Sequence, residues 1–295
     1  MRKVFIDGGA NVGQSIIAFC NNFPDASEYE IICFEASHSP MVLNPLNDVM
    51  QQYQSKAKSI KLNNKALWIY DGVVSFYDKG TESSSILHRA QFVNNPNVVK
   101  RNVECIDLSN WIKNTFTKDD YVVLKLDIEG GEYDIIKKMY DDKTIGCVDR
   151  FYCEIHGIKC KKNYKESLNL IKMVEESGTP FYTWTAESYA EQGDRRYTKD
   201  FLKYDFINFY KNLIDLHLRT HGPLPHDIHP EMLLKAVSDM IESEHSLAMY
   251  SSLCSKENDY IIRLEGKGLR VVPYNELTPA LFSELTNGLK GTIKK

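Results

Sequence analysis

The 295-residue sequence lacks any apolar run approaching the ~20 residues that a membrane-spanning helix needs. It also lacks a CxxC pair, and its seven cysteines are an odd number scattered along the chain. Several of them stand in apolar segments and are predicted to be small buried residues: Cys20, Cys33, Cys105 and Cys147. This pattern favours a reducing, cytoplasmic location over a disulfide framework. An apolar segment starts at Val4, which argues against a signal peptide.

An excess of positive charge is also missing, since the formal net charge is −4 at pH 7. The chain as a whole therefore has no electrostatic attraction to nucleic acid. One basic run, "KCKKNYK" at 159–165, is interpreted as the solvated start of a helix, with phosphate contact as the less favoured alternative. A nucleic-acid partner is not expected.

Short apolar strands alternate with helical segments from residue 4 to about residue 210. Such alternation predicts an α/β fold with a doubly wound, mostly parallel sheet. Two late β-rich runs, "PFYTWTA" at 180–186 and "YDFINFY" at 204–210, are expected to form an antiparallel edge. The segment "ALWIYDGVVSFY" is predicted to be a hairpin around Asp71-Gly72, which is a strong turn signal.

Residues 211–295 differ in character from the segment before them. They begin with a Pro/Gly/His-rich stretch and then predict a helix at 230–244 and a hairpin across Glu265–Gly268. We therefore expect a catalytic domain at 1–210 and a small, mainly helical C-terminal extension whose role stays open. Four histidines fall in the stretch between them, namely His217, His221, His226 and His229. No cysteine or acid completes a known ligand spacing there, so metal binding is the less favoured interpretation.

The turn "DGGANVG" at residues 7–13 follows the first predicted strand and precedes a helix. Its glycines permit positive φ and close backbone approach, and the helix offers its N-terminus to a polar ligand. Ala10 occupies the position where a dinucleotide fingerprint has its middle glycine, which argues against NAD or FAD. Glu35 closes the second predicted strand and is placed to accept two ribose hydroxyls. These features favour S-adenosylmethionine over the alternative of a purely structural strand-to-helix turn.

Four segments carry a family resemblance: "FIDGGANVGQS", "CFEAS", "LKLDIEGGEYDII" and "FYCEIHG". Together they resemble the FkbM-type methyltransferases over about residues 4–210. The resemblance implies a class I methyltransferase fold, S-adenosylmethionine as cofactor, and a hydroxyl on a sugar or polyketide-linked ring as acceptor. The family often has a segment before its first strand, and residues after about 210 match no motif of the family.

The resemblance also implies which residues bind the cofactor. The methionine end would lie on the glycine turn, at Asp7, Gly8, Gly9, Ala10, Asn11 and Gly13. Glu35, followed by Ala36, would hold the ribose. The adenine is expected near 64–66, which includes Lys65 and Ala66. Ser84 or Ser85 would lie near the cofactor, with a plain serine-rich loop as the alternative.

Acidic residues and a histidine stand where two more predicted strands end. Asp127 and Glu129 follow one strand, and Glu154 and His156 follow the next. Ligands of doubly wound sheets bind at the carboxyl ends of the strands, so we expect these side chains to face one pocket together with Asp7. We also expect Asp127 to contact the cofactor.

Methylation of a hydroxyl requires the acceptor to lose a proton, and this assigns catalytic roles to Asp127, Glu129, Glu154 and His156. His156 is the predicted general base. The three carboxylates would orient it, or Asp127, Glu154 and His156 would hold Mg²⁺.

Simpler interpretations exist for the acidic residues. Asp127 and Glu129 border two glycines and could cap a sharp turn. Glu132 and Asp134 are most simply acids at a helix N-terminus, where they favour the dipole.

The sequence and the resemblance thus predict an S-adenosylmethionine-dependent O-methyltransferase acting on a hydroxyl of a small-molecule or glycan acceptor, and a sugar in a glycan or glycoconjugate is the favoured acceptor. The alternatives are a cap or ribose methyltransferase of nucleic acid and a non-catalytic binding module.

Overall fold

The computed structural model describes residues 1–80, 84–87, 97–156, 164–185, 194–208, 211, 263–265 and 268–270. The chain divides into two compact units. The first consists of Met1–His156 and Leu170–Tyr197, and the second of Gly157–Asn169 and Thr198–Lys295. The predicted boundary at residue 210 stays a prediction. Within the described residues, no helix is both long and apolar enough to cross a membrane.

The strands are, in chain order, β1 Lys3–Gly8, β2 Tyr29–Phe34, β3 Ser59–Asn63, β4 Ala66–Trp68, β5 Gly72–Asp78, β6 Val99–Asp107, β7 Tyr121–Leu126, β8 Arg150–Cys153, β9 Phe181–Thr183, β10 Arg263–Glu265 and β11 Gly268–Arg270. The helices are α1 Gln14–Asn22, α2 Pro40–Tyr53, α3 Leu108–Thr115, α4 Glu132–Asp141 and α5 Tyr164–Glu176.

Six parallel strands form the main sheet in the order β3-β2-β1-β7-β8-β9. Apart from the edge strand β3, their residues are almost entirely buried, as continuous apolar strands in a sheet covered on both faces should be. The order reverses direction beside β1, because β2 lies on one side of it and β7 on the other. The predicted α/β class and mostly parallel, methyltransferase-like sheet are confirmed. The carboxyl ends of β1, β2, β7 and β8 lie at one edge, which is where such sheets bind ligands.

Aromatic packing holds α1 against the main sheet. The rings of Phe5 on β1 and Phe19 on α1 stack with centroids 4.1 Å apart. Phe19 also meets Tyr29 of β2 edge-on at 5.1 Å. Because these rings are almost fully buried, α1 and the glycine turn before it are fixed on the sheet.

The predicted hairpin around Asp71-Gly72 is wrong. β4 and β5 belong to one three-stranded sheet, but β6 lies between them, parallel to β4 and antiparallel to β5. The side chain of Asp71 accepts a 3.0 Å hydrogen bond from the backbone N–H of Asp107 on β6. The turn signal therefore marks the connection that takes the chain from β4, on one side of β6, to β5 on the other side.

The predicted late strand at 204–210 is also wrong where the structure describes it, because residues 199–208 are helical. Thr198 begins this helix, since its Oγ1 accepts from the N–H of Phe201 at 3.1 Å. Leu202 and Phe206 are four residues apart and both buried, which is the period of a helix. The described edge strand of the main sheet is β9, which is parallel to β8. An antiparallel contact does occur at this edge, as an isolated bridge between Tyr182 of β9 and Arg196, and not through the helical residues 204–208.

The hairpin predicted across Glu265–Gly268 is confirmed, since these residues pair between β10 and β11. The predicted helix at 230–244 and the four histidines lie outside the described residues. Cys33 and Cys105 are buried as expected, but Cys20 is half-buried and Cys147 is exposed. It ends a short 3-10 turn that buries Ile145 instead.

Candidate functional site

The glycine turn after β1 is shaped by contacts that exclude side chains. Gly9 has φ +80°, and a Cβ there would lie 1.9 Å from the carbonyl oxygen of Asp127. The N–H groups of Gly9 and Ala10 both donate to the carbonyl of Phe34, at 3.0 and 3.1 Å. Gly13 has φ +94°, and a Cβ there would meet Val49 at 2.8 Å. The turn thus packs its backbone against the ends of two neighbouring strands.

Glu35 follows β2, and its side chain is held by two backbone amides. The N–H of Asn11 donates to Oε2 and the N–H of Ser37 donates to Oε1, both at 2.7 Å. The residue is only 7% exposed. Burial raises the pKa of this carboxyl, while the two N–H donors act in the opposite direction. Each oxygen of the carboxylate has a further lone pair for a ligand hydroxyl.

Asp7 and Lys125 form a buried ion pair between β1 and β7. The Nζ of Lys125 lies 3.1 Å from Asp7 Oδ1 and 3.6 Å from Asp127 Oδ2, and it donates to the carbonyl of Gly9 at 2.8 Å. Burial acts against the charge of Lys125, but the two carboxylates outweigh it and raise the pKa of the ammonium group. Asp7 is fully buried, yet neither of its oxygens has a hydrogen bond of good geometry from any described residue. Such an orphaned carboxylate indicates a place for a ligand donor.

The predicted catalytic residues meet around the imidazole of His156. Its Nε2 lies 3.7 Å from Asp127 Oδ1, 3.5 Å from Glu129 Oε1 and 3.4 Å from Glu154 Oε1. This nitrogen is buried and has no hydrogen-bond partner among the described residues. One ligand atom each of Asp127, Glu154 and His156 can be chosen so that all lie within 4.8 Å of one another, which is the spacing of a candidate metal site.

Glu132 was expected to be a helix N-terminal acid, and the structure gives it further contacts. It is fully buried, and its carboxylate accepts from the N–H groups of Ile128 and Gly130 at 2.8 and 2.7 Å. Oε1 also lies 3.0 Å from Nδ1 of His156. Asp134, in contrast, is exposed on the same turn of α4. Glu132 therefore closes the turn after β7 and orients the imidazole.

Charge is concentrated at this cluster. Burial raises the pKa of Asp127 to about 6, with Glu154 adding to the rise and Lys125 opposing it. Burial also acts against the imidazolium form of His156, but the surrounding carboxylates outweigh it, Glu132 first, and raise its pKa well above the usual value. The side chain of Asp127 is 28% exposed and that of His156 is 2% exposed. Asp127 is therefore the more accessible of the two.

Backbone strain also falls at the site. Three non-glycine residues among those described have positive φ, namely Asn11 at 48°, Glu129 at 59° and Lys143 at 61°. Two of the three belong to the glycine turn and to the loop after β7. Such conformations cost about 1–2 kcal/mol and persist where the surroundings impose them.

The remaining predicted cofactor residues lie around the same edge with different contacts. Gly8 ends β1 beside Leu126, and Ala36 packs partly against a small apolar cluster that contains Ala66. The side chain of Lys65 pairs with Glu104 at 2.7 Å instead of turning to the site. Ser85 donates its hydroxyl to the carbonyl of Glu129 at 2.8 Å.

Sequence reasoning assigned no role to Lys125 and only a dipole role to Glu132. A signal for Lys125 was present, because a lysine inside the apolar strand "YVVLKL" needs a buried partner. No comparable signal marks Glu132, because its contact with His156 joins elements that are not adjacent in sequence.

A protein family and a solved structure are similar to this chain. Residues 7–181, more than half of the chain, match the family described as "Methyltransferase FkbM domain". A crystal structure of methyltransferase FkbM from Methylobacillus flagellatus KT aligns with 14% sequence identity and a TM-score of 0.30. That alignment covers 47% of this chain and 29% of the crystallised chain. No curated protein matches the sequence.

The matched residues include the glycine turn, Glu35 and the cluster around His156. The chain belongs to the FkbM methyltransferase family.

Proposed function

We propose that this methyltransferase uses S-adenosylmethionine and methylates a hydroxyl of a sugar in a glycan or glycoconjugate. The observation that carries the proposal is the buried carboxylate of Asp7 beside the glycine turn, which is paired with Lys125 but has no hydrogen bond of good geometry from any described residue. Its neighbour at the same edge is Glu35, whose carboxylate is fixed by two amides. One carboxylate for a cationic group and one for a pair of hydroxyls fit the two ends of S-adenosylmethionine.

The charge of the site supports the same cofactor. Among the described residues, five carboxylates, those of Asp7, Asp127, Glu129, Glu132 and Glu154, lie close to two cationic side chains, Lys125 and His156. S-adenosylmethionine supplies an electrophilic methyl group on a positively charged sulfonium. A pocket with excess negative charge favours such a ligand over an anionic dinucleotide.

The acceptor hydroxyl must lose its proton, and Asp127 is the best-placed base. Its pKa of about 6 lies near neutral pH, so that it is ionised yet still basic. His156 is more deeply buried, and its raised pKa favours the protonated ring in the absence of a metal. Glu154 and Glu129 would then hold the imidazolium beside Asp127. This assignment moves the base from His156, as the sequence suggested, to Asp127.

A divalent cation would change these roles. Asp127, Glu154 and the buried Nε2 of His156 are the residues that would hold it, and the imidazole would then be neutral. Two carboxylates and one imidazole can bind Mg²⁺. They can also bind Mn²⁺, which accepts the imidazole nitrogen as a ligand more readily than Mg²⁺ does. The ion would act as a Lewis acid that makes the acceptor hydroxyl easier to deprotonate. The sugar as acceptor rests on the resemblance to the FkbM family.

Calorimetric titration with S-adenosylmethionine and with S-adenosylhomocysteine, its demethylated product, tests the cofactor. We expect micromolar binding that falls at least tenfold in Glu35→Ala and is unchanged in Glu104→Ala, whose side chain is 66% exposed. No binding of either compound would overturn the proposal. Methyl transfer to mono- and oligosaccharides, with and without Mg²⁺, then tests the acceptor. Transfer to RNA but to no saccharide would replace it.

A further inference from the structure

Glu35, Ala36 and Ser37 form a short segment after β2 that is held from several sides. The side-chain amide of Asn64 donates to the carbonyls of Glu35 and Ser37, at 2.7 and 2.9 Å. The N–H of Ser37 in turn donates to Glu35 Oε1. The position of the Glu35 carboxylate therefore depends on where Ser37 is held.

Ser37 is held by Asp78, the last residue of β5. The hydroxyl of Ser37 lies 3.0 Å from both carboxylate oxygens of Asp78. Asp78 also accepts from the N–H of Gly80 at 2.9 Å, and the guanidinium of Arg101 lies 3.6 Å from its Oδ2. Only 3% of Asp78 is exposed, so its carboxylate oxygens contact these donors rather than water.

We propose that Asp78 is a positioning residue for the cofactor's ribose, acting through Ser37 on Glu35. Asp78 accepts a hydrogen bond from the hydroxyl of Ser37, which fixes the Ser37 backbone, and the N–H of Ser37 fixes one oxygen of Glu35. The N–H of Asn11 fixes the other oxygen from the glycine turn. This inference rests on the proposed function, because it takes Glu35 as the acceptor of the ribose hydroxyls.

The arrangement explains a feature of the fold that the main sheet does not require. β5 and β6 lie in the smaller sheet, and Phe76 and Val103 anchor them in its apolar cluster. Asp78 is in register with Val99 at the end of that pairing. The smaller sheet thus places the buried carboxylate of Asp78 against Ser37, in the segment that contains Glu35. A fixed acceptor binds ligand hydroxyls more tightly than a mobile one, because less ordering is left for the binding step.

Titration of the full chain with S-adenosylhomocysteine tests the proposal. Asp78→Ala and Ser37→Ala should each weaken binding about 3- to 10-fold, the range expected for loss of one or two hydrogen bonds. The double variant should be no weaker than the weaker single variant, because both changes break the same connection. In a Glu35→Ala background, Asp78→Ala should cause no further loss. These non-additive results would not follow from a general loss of stability.

The chain offers a matched control at α3. There the hydroxyl of Ser109 donates to Asp142 at 2.7 Å, which is the same kind of pair away from the ribose carboxylate. Ser109→Ala should leave the affinity for S-adenosylhomocysteine unchanged. If Asp78→Ala does not fold, Asp78→Asn and Ser37→Ala carry the test, since both keep the volume of the site nearly constant.

The outcomes separate this inference from the proposed function. The wild-type chain is compared with an Asp78 variant, either Asp78→Ala or Asp78→Asn, and with Ser37→Ala. If all of them bind the compound equally well, the positioning role is wrong and the cofactor assignment stands. If the effects of Asp78 and Glu35 are additive, Asp78 acts independently of the ribose carboxylate and the proposal is also wrong. If the wild-type chain does not bind, both proposals fail together.

Discussion

The Nζ of Lys125 donates a 2.8 Å hydrogen bond to the carbonyl of Gly9, which ties strand β7 to the glycine turn after β1. The same ammonium group lies between two carboxylates, those of Asp7 and Asp127. Its side chain is 1% exposed. One buried cation therefore compensates the charge of both residues and fixes the backbone between them.

Replacing Lys125 by methionine keeps the length of the side chain but removes its charge. We expect the free energy of unfolding to fall by about 3–5 kcal/mol, because the buried carboxylate of Asp7 and the partly buried one of Asp127 lose their cation. Urea unfolding followed by circular dichroism measures this. Lys61→Met, at an exposed position of β3, is the control and should change stability by less than about 0.5 kcal/mol. Equal effects of the two changes would show that Lys125 has no special role.

Gly9 and Gly178 give a matched pair of glycines with nearly the same backbone conformation. Their φ angles are +80° and +78°, but a Cβ at Gly9 would lie 1.9 Å from a backbone oxygen while a Cβ at Gly178 meets nothing within 4 Å. Gly178→Ala should cost about 1–2 kcal/mol, the penalty of a left-handed residue. Gly9→Ala should cost clearly more and should also abolish cofactor binding. Similar stabilities for the two variants in urea unfolding would contradict the close approach of β1 and β7.

Most strands of the main sheet and the position of the acidic residues at their ends could be predicted from the sequence because both depend on local patterns. Apolar runs define the strands, and the residues that end parallel strands must share an edge. The separation of β4 from β5 could not be predicted, since the local turn signal at Asp71 gives no information about β6 inserting between them. The contact of Glu132 with His156 was missed for a similar reason. A glutamate in the first turn of a helix has a sufficient local explanation, and only the fold brings the imidazole to it.

Glu132→Gln tests whether this carboxylate is more than a helix N-terminal acid. The variant keeps the shape but loses an acceptor for the two N–H groups and the ring of His156, so we expect a loss of about 3–5 kcal/mol in the free energy of unfolding. Asp134→Asn, on the exposed side of the same turn, should change it by no more than about 0.5 kcal/mol. If the two variants unfold at the same urea concentration, the dipole interpretation is sufficient.

The metal-free protein should lose stability as pH rises above the acid range, because of Asp127 and His156. The folded-state pKa of Asp127 is raised to about 6 from 3.8, so its contribution is complete below pH 3.8 and is lost as pH rises to about 6. His156 also has a raised pKa, so its contribution is present below pH 6.5 and is lost as pH rises through the higher folded value.

Asp127→Asn mimics the protonated carboxyl and should flatten this dependence. At pH 7.5 it should raise the free energy of unfolding by about 1–3 kcal/mol relative to the wild type, and at pH 4 by much less. Asp142→Asn is a control of opposite sign, because Lys138 and Ser109 lower the pKa of Asp142. That variant should lose stability at pH 7.5. Thermal unfolding across pH distinguishes the two, and a destabilised Asp127→Asn at pH 7.5 would contradict the raised pKa.

Titration with Mn²⁺, followed by its electron paramagnetic resonance signal, tests the candidate metal site. We expect one bound ion per chain and a higher unfolding temperature with Mn²⁺, because an ion that binds only the folded state stabilises it. His156→Ala should abolish binding, since its buried Nε2 is one of the three donors. Glu132→Gln leaves all three donors in place but removes the group that orients the imidazole, so affinity should fall about 10- to 100-fold. Asp134→Asn should bind as the wild type does. Wild-type affinity in His156→Ala would place the ion elsewhere, and the absence of binding to the wild type would leave Asp127 as the base without a metal.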